Sequence, residues 1–212
     1  MAEILLDEQS TAISPSTGKT VIYSDSTTSK LTYRDDAGNC FTIPGRIDNF
    51  TNASQTGFAA DQYLVGSNLA VPPHKLQVGT SFTWIFDVTK TGAGVATPII
   101  QIRVGTAGSV ADTSRVTFTL PAQTAVADVG LFIITAVIRN IGASGVMVGV
   151  LNMTHNVPAG ITGLSTSISP NIVTVSGAFD TTVANLIVGL SVNGGASAAW
   201  TTQMVQSSMF LI

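Results

Sequence analysis

Charge is what this 212-residue chain has least of. Asp, Glu, Lys and Arg make up 10% of it, against about 25% in ordinary soluble domains. A net charge of −3 supplies no basic footprint for nucleic acid and nothing that draws the chain to an anionic membrane. The single cysteine, Cys40, cannot form an internal disulfide and fits folding under reducing conditions. There are two histidines, His74 and His155. Neither has a second His, Cys or acid at ligand spacing, so no metal motif is present. Long apolar runs are missing as well. The longest, Val129 to Ile138, stops at Arg139, about half the 20 residues that a membrane-spanning helix requires. Met1 to Glu8 carries acids and no basic segment, which reads as no secretory signal.

The missing charge is replaced by Ser and Thr, which together approach a quarter of the chain, and by 20 glycines. Apolar residues stay at 45%, so the composition is not that of a disordered chain. Helix-favouring Glu, Lys and Arg are scarce while β-branched residues abound, which predicts an all-β protein. A chain this long buries roughly 70% of its unfolded surface and needs no disulfide or metal to hold it.

The little charge there is lies unevenly. Eleven of the 21 charged residues fall in the first 50 positions, whereas Asp180 is the only one after Arg139. Residues 1–45 read as a small β-meander, with strands at Thr20–Ser24, Lys30–Arg34 and Cys40–Ile43 and turns at Ser24–Ser29 and Asp35–Asn39. Three strands this short bury little by themselves. Residues 46–56 read as a polar linker, and 57–212 as an oligomerising β-sandwich.

Within the sandwich, Phe82, Trp84, Phe86 and Val88 alternate onto one face, as do Ile100, Ile102 and Val104, and then Val116, Phe118 and Leu120. Leu131–Arg139 and Val146–Met153 are apolar on both faces, the pattern of strands covered on both sides. Ile172–Val175, Leu186–Val192 and Trp200–Ile212 complete about eight strands, with Asn193–Gly194 as a hairpin signal between the last two. An antiparallel two-sheet sandwich accounts for this pattern, and a jelly roll is its economical topology.

Catalytic motifs are sparse. Gly18–Lys19–Thr20 matches the end of a P-loop, but the position five before the Gly-Lys pair is Ile13 and a strand follows, so a turn is expected. His155 and Asp180 could contribute to a Ser-His-Asp arrangement, yet no G-x-S-x-G elbow accompanies them. Gly142–Ala143–Ser144–Gly145 misses that pattern and reads as a turn. The aspartates are scattered singly except Asp35 and Asp36, which sit in a turn, so no carboxylate pair suits glycoside hydrolysis. Trp84 alternates with core aromatics. Trp200 is readable either as packing or as a sugar-stacking platform. No enzyme activity, cofactor or metal is expected.

From Asn140 to Ile212 almost no charge protects the surface or the sheet edges. A Thr-decorated solvent face is one reading. Burial between copies is the sharper one, because obligate interfaces are depleted in charge. The apolar end, Met209, Phe210, Leu211 and Ile212, is the expected oligomer contact, since four apolar residues at a terminus call for a strand pinned into a sheet or a neighbour.

Several segments together resemble structural proteins of tailed-phage virions. Within Ala12–Asn39 they are Pro15-x-x-Gly18–Lys19, Val21–Ile22–Tyr23, Lys30–Leu31 and Asp35–Asp36–Ala37–Gly38. Further on come Tyr63–Ser67, Leu76–Thr80, Thr89–Pro98 and Gly105–Gly108. The likeness is to trimeric β-sandwich proteins of the virion surface. It implies a homotrimer whose N-terminal module docks on the major capsid protein or another virion protein while the sandwich projects outward, as a capsid decoration or head-fibre protein. It carries over no catalytic residue. The polar and aromatic residues of the module, Tyr23, Lys30, Tyr33, Arg34, Asp35 and Asp36, are then the expected docking contacts. Such a protein resides in the virion and is assembled in the host cytoplasm. Two alternatives stand beside this one: a tail, collar or baseplate appendage that contacts the host, and a stand-alone carbohydrate-binding sandwich that uses Trp200 on a host surface glycan.

Overall fold

A computed structural model describes residues 8–9, 15–25, 30–37, 40–42, 45–72, 76–156, 162–167, 170–195 and 197–211. The chain divides into two compact units, one formed by residues 1–45 and one by Arg46–Leu211.

The first unit is a four-stranded sheet in the order β1 (Glu8–Gln9), β2 (Val21–Asp25), β3 (Lys30–Arg34), β4 (Cys40–Thr42). β2, β3 and β4 form the antiparallel meander expected from the sequence, and β1 adds a short parallel edge beside β2. The Gly-Lys-Thr segment is a turn. The Lys19 amide donates to the Ser16 carbonyl at 3.0 Å, and the Gly18 amide donates to the Asp36 carboxylate at 2.5 Å. The turn positions 26–29 and 38–39 lie outside the described residues.

The second unit contains β5 (Gly45–Thr51), β6 (Gln55–Gly57), β7 (Gln62–Tyr63), β8 (Leu69–Ala70) and β9 (Ser81–Lys90). These are followed by β10 (Ile99–Gly105), β11 (Thr113–Thr119), β12 (Asp128–Asn140) and β13 (Val146–His155). β14 (Asn171–Val175), β15 (Ile187–Asn193), β16 (Trp200–Thr202) and β17 (Val205–Leu211) complete it. They form two antiparallel sheets. The smaller runs β11–β10–β15, with β7 and β8 both on the far edge of β15. The larger runs β14–β13–β12–β9, and beyond β9 lie β16 and β17, themselves flanked by β6 and β5.

Two sequence expectations change here. Residues 46–56 are not a linker: β5 and β6 occupy most of the stretch and pair with β17 and β16. Polar side chains suit this position because an edge strand has one row of backbone groups and much of its surface in water. Asn193–Gly194 makes no hairpin, since β15 and β16 belong to different sheets. The chain crosses between sheets there, with the Gly194 amide donating to the Phe58 carbonyl at 2.7 Å. Around the β10–β11 hairpin the chain pairs outward in the nested order of a jelly roll, β9 with β12, β7 and β8 with β15, and β5 and β6 with β17 and β16. Short connections leave β10 and β11 as a hairpin and β12, β13 and β14 as a meander. The 106–112 loop is braced by the Asp112 carboxylate, which accepts from the amides of Ala107 at 2.9 Å and Gly108 at 2.8 Å. A loop tied this tightly returns the strand beside its predecessor.

One core fills the space between the two sheets. Phe82, Trp84, Phe86 and Val88 of β9 face Ile100, Ile102 and Val104 of β10, Val116 and Phe118 of β11, and Val188, Leu190 and Val192 of β15 in a single buried cluster. The period-2 alternation read from the sequence is the cause, because a strand with every second residue apolar presents one continuous face. Gly149 of β13 marks the tightest approach of the two sheets. A Cβ there would stand 2.8 Å from the ring of Phe118 and 2.9 Å from Val116.

Candidate functional site

The charged groups of the second unit are engaged in holding its own loops. Arg103 shows this most fully. Its Nε donates to Ser191 Oγ at 2.6 Å, Nη1 donates to the carbonyls of Val110 at 2.9 Å and Asp112 at 2.5 Å, and Nη2 meets the Asp61 carboxylate and, at 2.8 Å, Gln101 Oε1. A guanidinium has five N–H donors. All five are spent, which leaves none for a ligand.

Lys90 continues the inward-facing series of β9 and is 1% exposed. Its Nζ donates to the carbonyls of Thr124 at 2.8 Å, Thr91 at 2.9 Å and Val126 at 3.2 Å. Three donors meet three acceptors, so the ammonium gathers two loops at one end of the sandwich. Burial pulls its pKa below the usual lysine value, opposed by the Asp128 carboxylate.

His155 pairs with Asp128 rather than with Asp180. Its Nδ1 lies 2.7 Å from Asp128 Oδ2, and its Nε2 lies 3.3 Å from the Ser167 carbonyl. Asp128 also accepts from the Leu164 amide at 2.9 Å. The second imidazole nitrogen therefore faces a backbone carbonyl and not a hydroxyl, so this His–Asp pair activates no nucleophile. It ties the 162–167 segment to β12 and β13. The sequence pattern missed the pair because Asp128 and His155 are 27 residues apart and meet only across the β12–β13 register. Asp180 turns locally instead, accepting from the Thr182 hydroxyl at 2.6 Å and the Thr182 amide at 2.8 Å, which holds its carboxyl below the usual range. Among the described residues no group of three or more His, Cys, Asp or Glu is placed to hold a metal ion. His74 lies outside them.

Trp200 is fully buried. Its Nε1 donates to Gln123 Oε1 at 2.7 Å, and its ring lies 5.6 Å from that of Phe132. A buried indole cannot stack on a sugar, so the platform reading is corrected to packing.

The chain's remaining resources are surfaces. In the first unit the register places Tyr23 opposite Thr32, and both are buried. The opposite face carries Ile22 and Leu31, which are exposed, together with half-buried Tyr33. Sequence reasoning favoured polar residues and passed over Ile22 and Leu31, whose exposure was readable only as parity along two paired strands. Arg34 and Asp35 are half-buried and Asp36 is exposed. The backbone of Lys30 lies in β3 but its side chain is outside the described residues.

In the second unit the outward face of the larger sheet mixes apolar residues with Ser, Thr, Asn and Gln, and exposes several large apolar side chains. Cross-strand register aligns Val175, Val148, Val137, Ser81 and Phe210 in one row. The next row is Val173, Val150, Thr135, Thr83 and Ser208, and the next runs from Asn171 through Asn152, Ile133 and Ile85 to Gln206. Val137, Ile133, Phe210, Val129, Val175 and Val173 are between 36% and 66% exposed. β12 and β13, expected to be covered on both sides, are thus covered on one side only by the described residues of the second unit. Phe210 belongs to this face. Met209 does not: it is fully buried in the chain's own core, Leu211 packs partly against that core, and Ile212 lies outside the described residues.

No family model matches the chain, and no curated protein matches it. Among solved structures, the VP2 protein of infectious bursal disease virus, as a D431N mutant in T=1 particles, is similar over 82% of this chain and 42% of its own, with 9% identity and a TM-score of 0.21. A structure of the Gt strain of the same virus is similar over 86% of this chain and 48% of its own, with 12% identity and a TM-score of 0.19. The chain spans less than half the length of either.

Proposed function

We propose that this chain is a structural protein of a virion surface, a homotrimeric capsid decoration or head-fibre protein. The small N-terminal sheet docks on the major capsid protein or another virion protein, and the sandwich associates with copies of itself. The observation that carries this reading is the contrast in surface chemistry between the two units. The second unit spends its buried and half-buried charges on its own loops and leaves the centre of a broad sheet face without charge, as a permanently assembled protein does. The first holds nine charged residues in 45 and a face with exposed Ile22 and Leu31 beside half-buried Tyr33, suited to a specific partner. Three linked anchors also bind a repeating shell more tightly than one.

The test is binding of the purified full-length chain to shells of the virion it belongs to, read as stoichiometry by sedimentation. Saturable binding that disappears in Ile22→Asp/Leu31→Asp, with the oligomer intact, supports docking by the first unit. Unchanged binding by that variant overturns the division of roles. Labelled electron microscopy of whole particles then separates a head position from a tail, collar or baseplate one.

A further inference from the structure

The outward face of the larger sheet, centred on β12 and β13, has a role that neither the loop-bracing charges nor the core explains. The geometry points to this face as the surface where one copy of the chain meets another, sheet against sheet. The inference rests on the self-association proposed above and names where it occurs.

Area is the first argument. The face spans five strands, β14, β13, β12, β9 and β17. At about 4.8 Å per strand and 3.3 Å per residue over five to seven residues, its plan area is about 500 Å². Two such faces bury about 1,000 Å² together, the lower bound for a specific interface, whereas an uncommitted apolar patch rarely exceeds a few hundred. Chemistry is the second. The rows carry Val, Ile, Thr and Ser at their centre, short side chains that let two sheets approach to about 10 Å and interdigitate. Charge stands at the rim of the face, including Arg46, which lies 5.0 Å from the centre of the Phe210 ring and pairs with Asp48 at 2.7 Å. Asp87 lies opposite Leu131, with its carboxylate accepting from the amides of Gln203 and Met204 at 2.9 and 2.7 Å, and Arg139 is the next-to-last residue of β12. An apolar centre with a polar rim is the anatomy of a protein interface. A second copy fits best because the centre of the face, across β12 and β13, offers no charge for an acidic or basic partner to read.

The experiment is size-exclusion chromatography with light scattering on the full-length chain and on four variants. Val137→Lys and Val175→Lys each place an ammonium in the Val175–Val148–Val137 row. Val95→Lys changes an equally exposed valine in the 91–98 loop, away from the sheet face. The triple variant Val137→Thr/Val148→Thr/Val173→Thr keeps β-branched side chains and hence the fold while removing the apolar surface. The expected result is a multi-copy native chain, association at least tenfold weaker in both lysine variants and in the triple variant, and no change in Val95→Lys, all with native circular dichroism. A native chain that assembles while the lysine and triple variants assemble equally well overturns this assignment and leaves self-association standing. A native chain that is monomeric at every concentration overturns both.

Discussion

The two faces of β12 differ by one residue of parity and by everything in environment. Phe132, Ile134, Ala136 and Ile138 point inward and are fully buried. Val129, Ile133 and Val137 point outward, and each is more than a third exposed. The amino acids on the two faces are almost equally apolar, so composition does not say which face is core. What decides is the opposing layer: the smaller sheet covers one face and nothing among the described residues of the second unit covers the other. An apolar strand face is therefore a demand for a cover, and the cover need not come from the same chain.

Breaking the inner face carries the largest expected effect. Phe132 stacks on Phe86 with ring centroids 5.0 Å apart and touches Trp200, so Phe132→Ala should cost about 3–5 kcal/mol by loss of burial and the cavity left behind. Denaturant unfolding checks this. Gly149→Leu attacks the same core from the opposite sense. The added side chain has no room against Phe118 and Val116, and overpacking of this kind costs about 1–3 kcal/mol, read as a lower midpoint with an unchanged slope.

Lys90→Met tests whether the buried charge at the end of the inner face is structural. It keeps the stem and orphans the carbonyls of Thr91, Thr124 and Val126. A buried acceptor left unpaired costs about 1–3 kcal/mol, so the loss should approach that of a core truncation and should appear as faster hydrogen exchange in the 122–127 loop.

Changes to the outer face should leave folding nearly untouched. Val137→Lys should shift unfolding free energy of the dissociated chain by less than about 0.5 kcal/mol, as for other surface substitutions. The contrast with Phe132→Ala, one alternation away on the same strand, sharpens the comparison most directly.

The smallest effect belongs to Tyr63. Its hydroxyl is buried without a hydrogen-bond partner among the described residues. Burial, aided by the Asp112 carboxylate and opposed by Arg103, pushes its pKa up to about 12. A phenol whose folded pKa exceeds its unfolded value of about 10 contributes stability below pH 10 that is lost as pH rises toward 12. Tyr63→Phe should be nearly neutral at pH 7 and should flatten the alkaline fall in a pH series of thermal unfolding.

Much of the fold was legible before any coordinates. The β9 alternation, the β10 and β11 strands and the three-strand meander followed from period-2 patterning and turn residues, which act locally. Residues 46–56 were misread because polarity was taken for a linker, when an edge strand tolerates the same residues. Asn193–Gly194 was misread because a turn signal reports a local bend and not the sheet to which the next strand goes. The candidate surfaces were half legible. A nearly charge-free C-terminal half announced an unusual surface, but Met209, placed in it by composition, proved to be core, while Ile22 and Leu31 were overlooked.

The sequence by itself determined the all-β class, the alternating inward faces and the separation of a charged N-terminal segment from a nearly uncharged body, because these depend on composition and short-range periodicity. Only the tertiary structure decided the strand order, the pairing of His155 with Asp128 and which apolar face of β12 the chain leaves uncovered. Those depend on contacts between residues far apart in the chain, and the energy that selects them exists only once both sheets are in place.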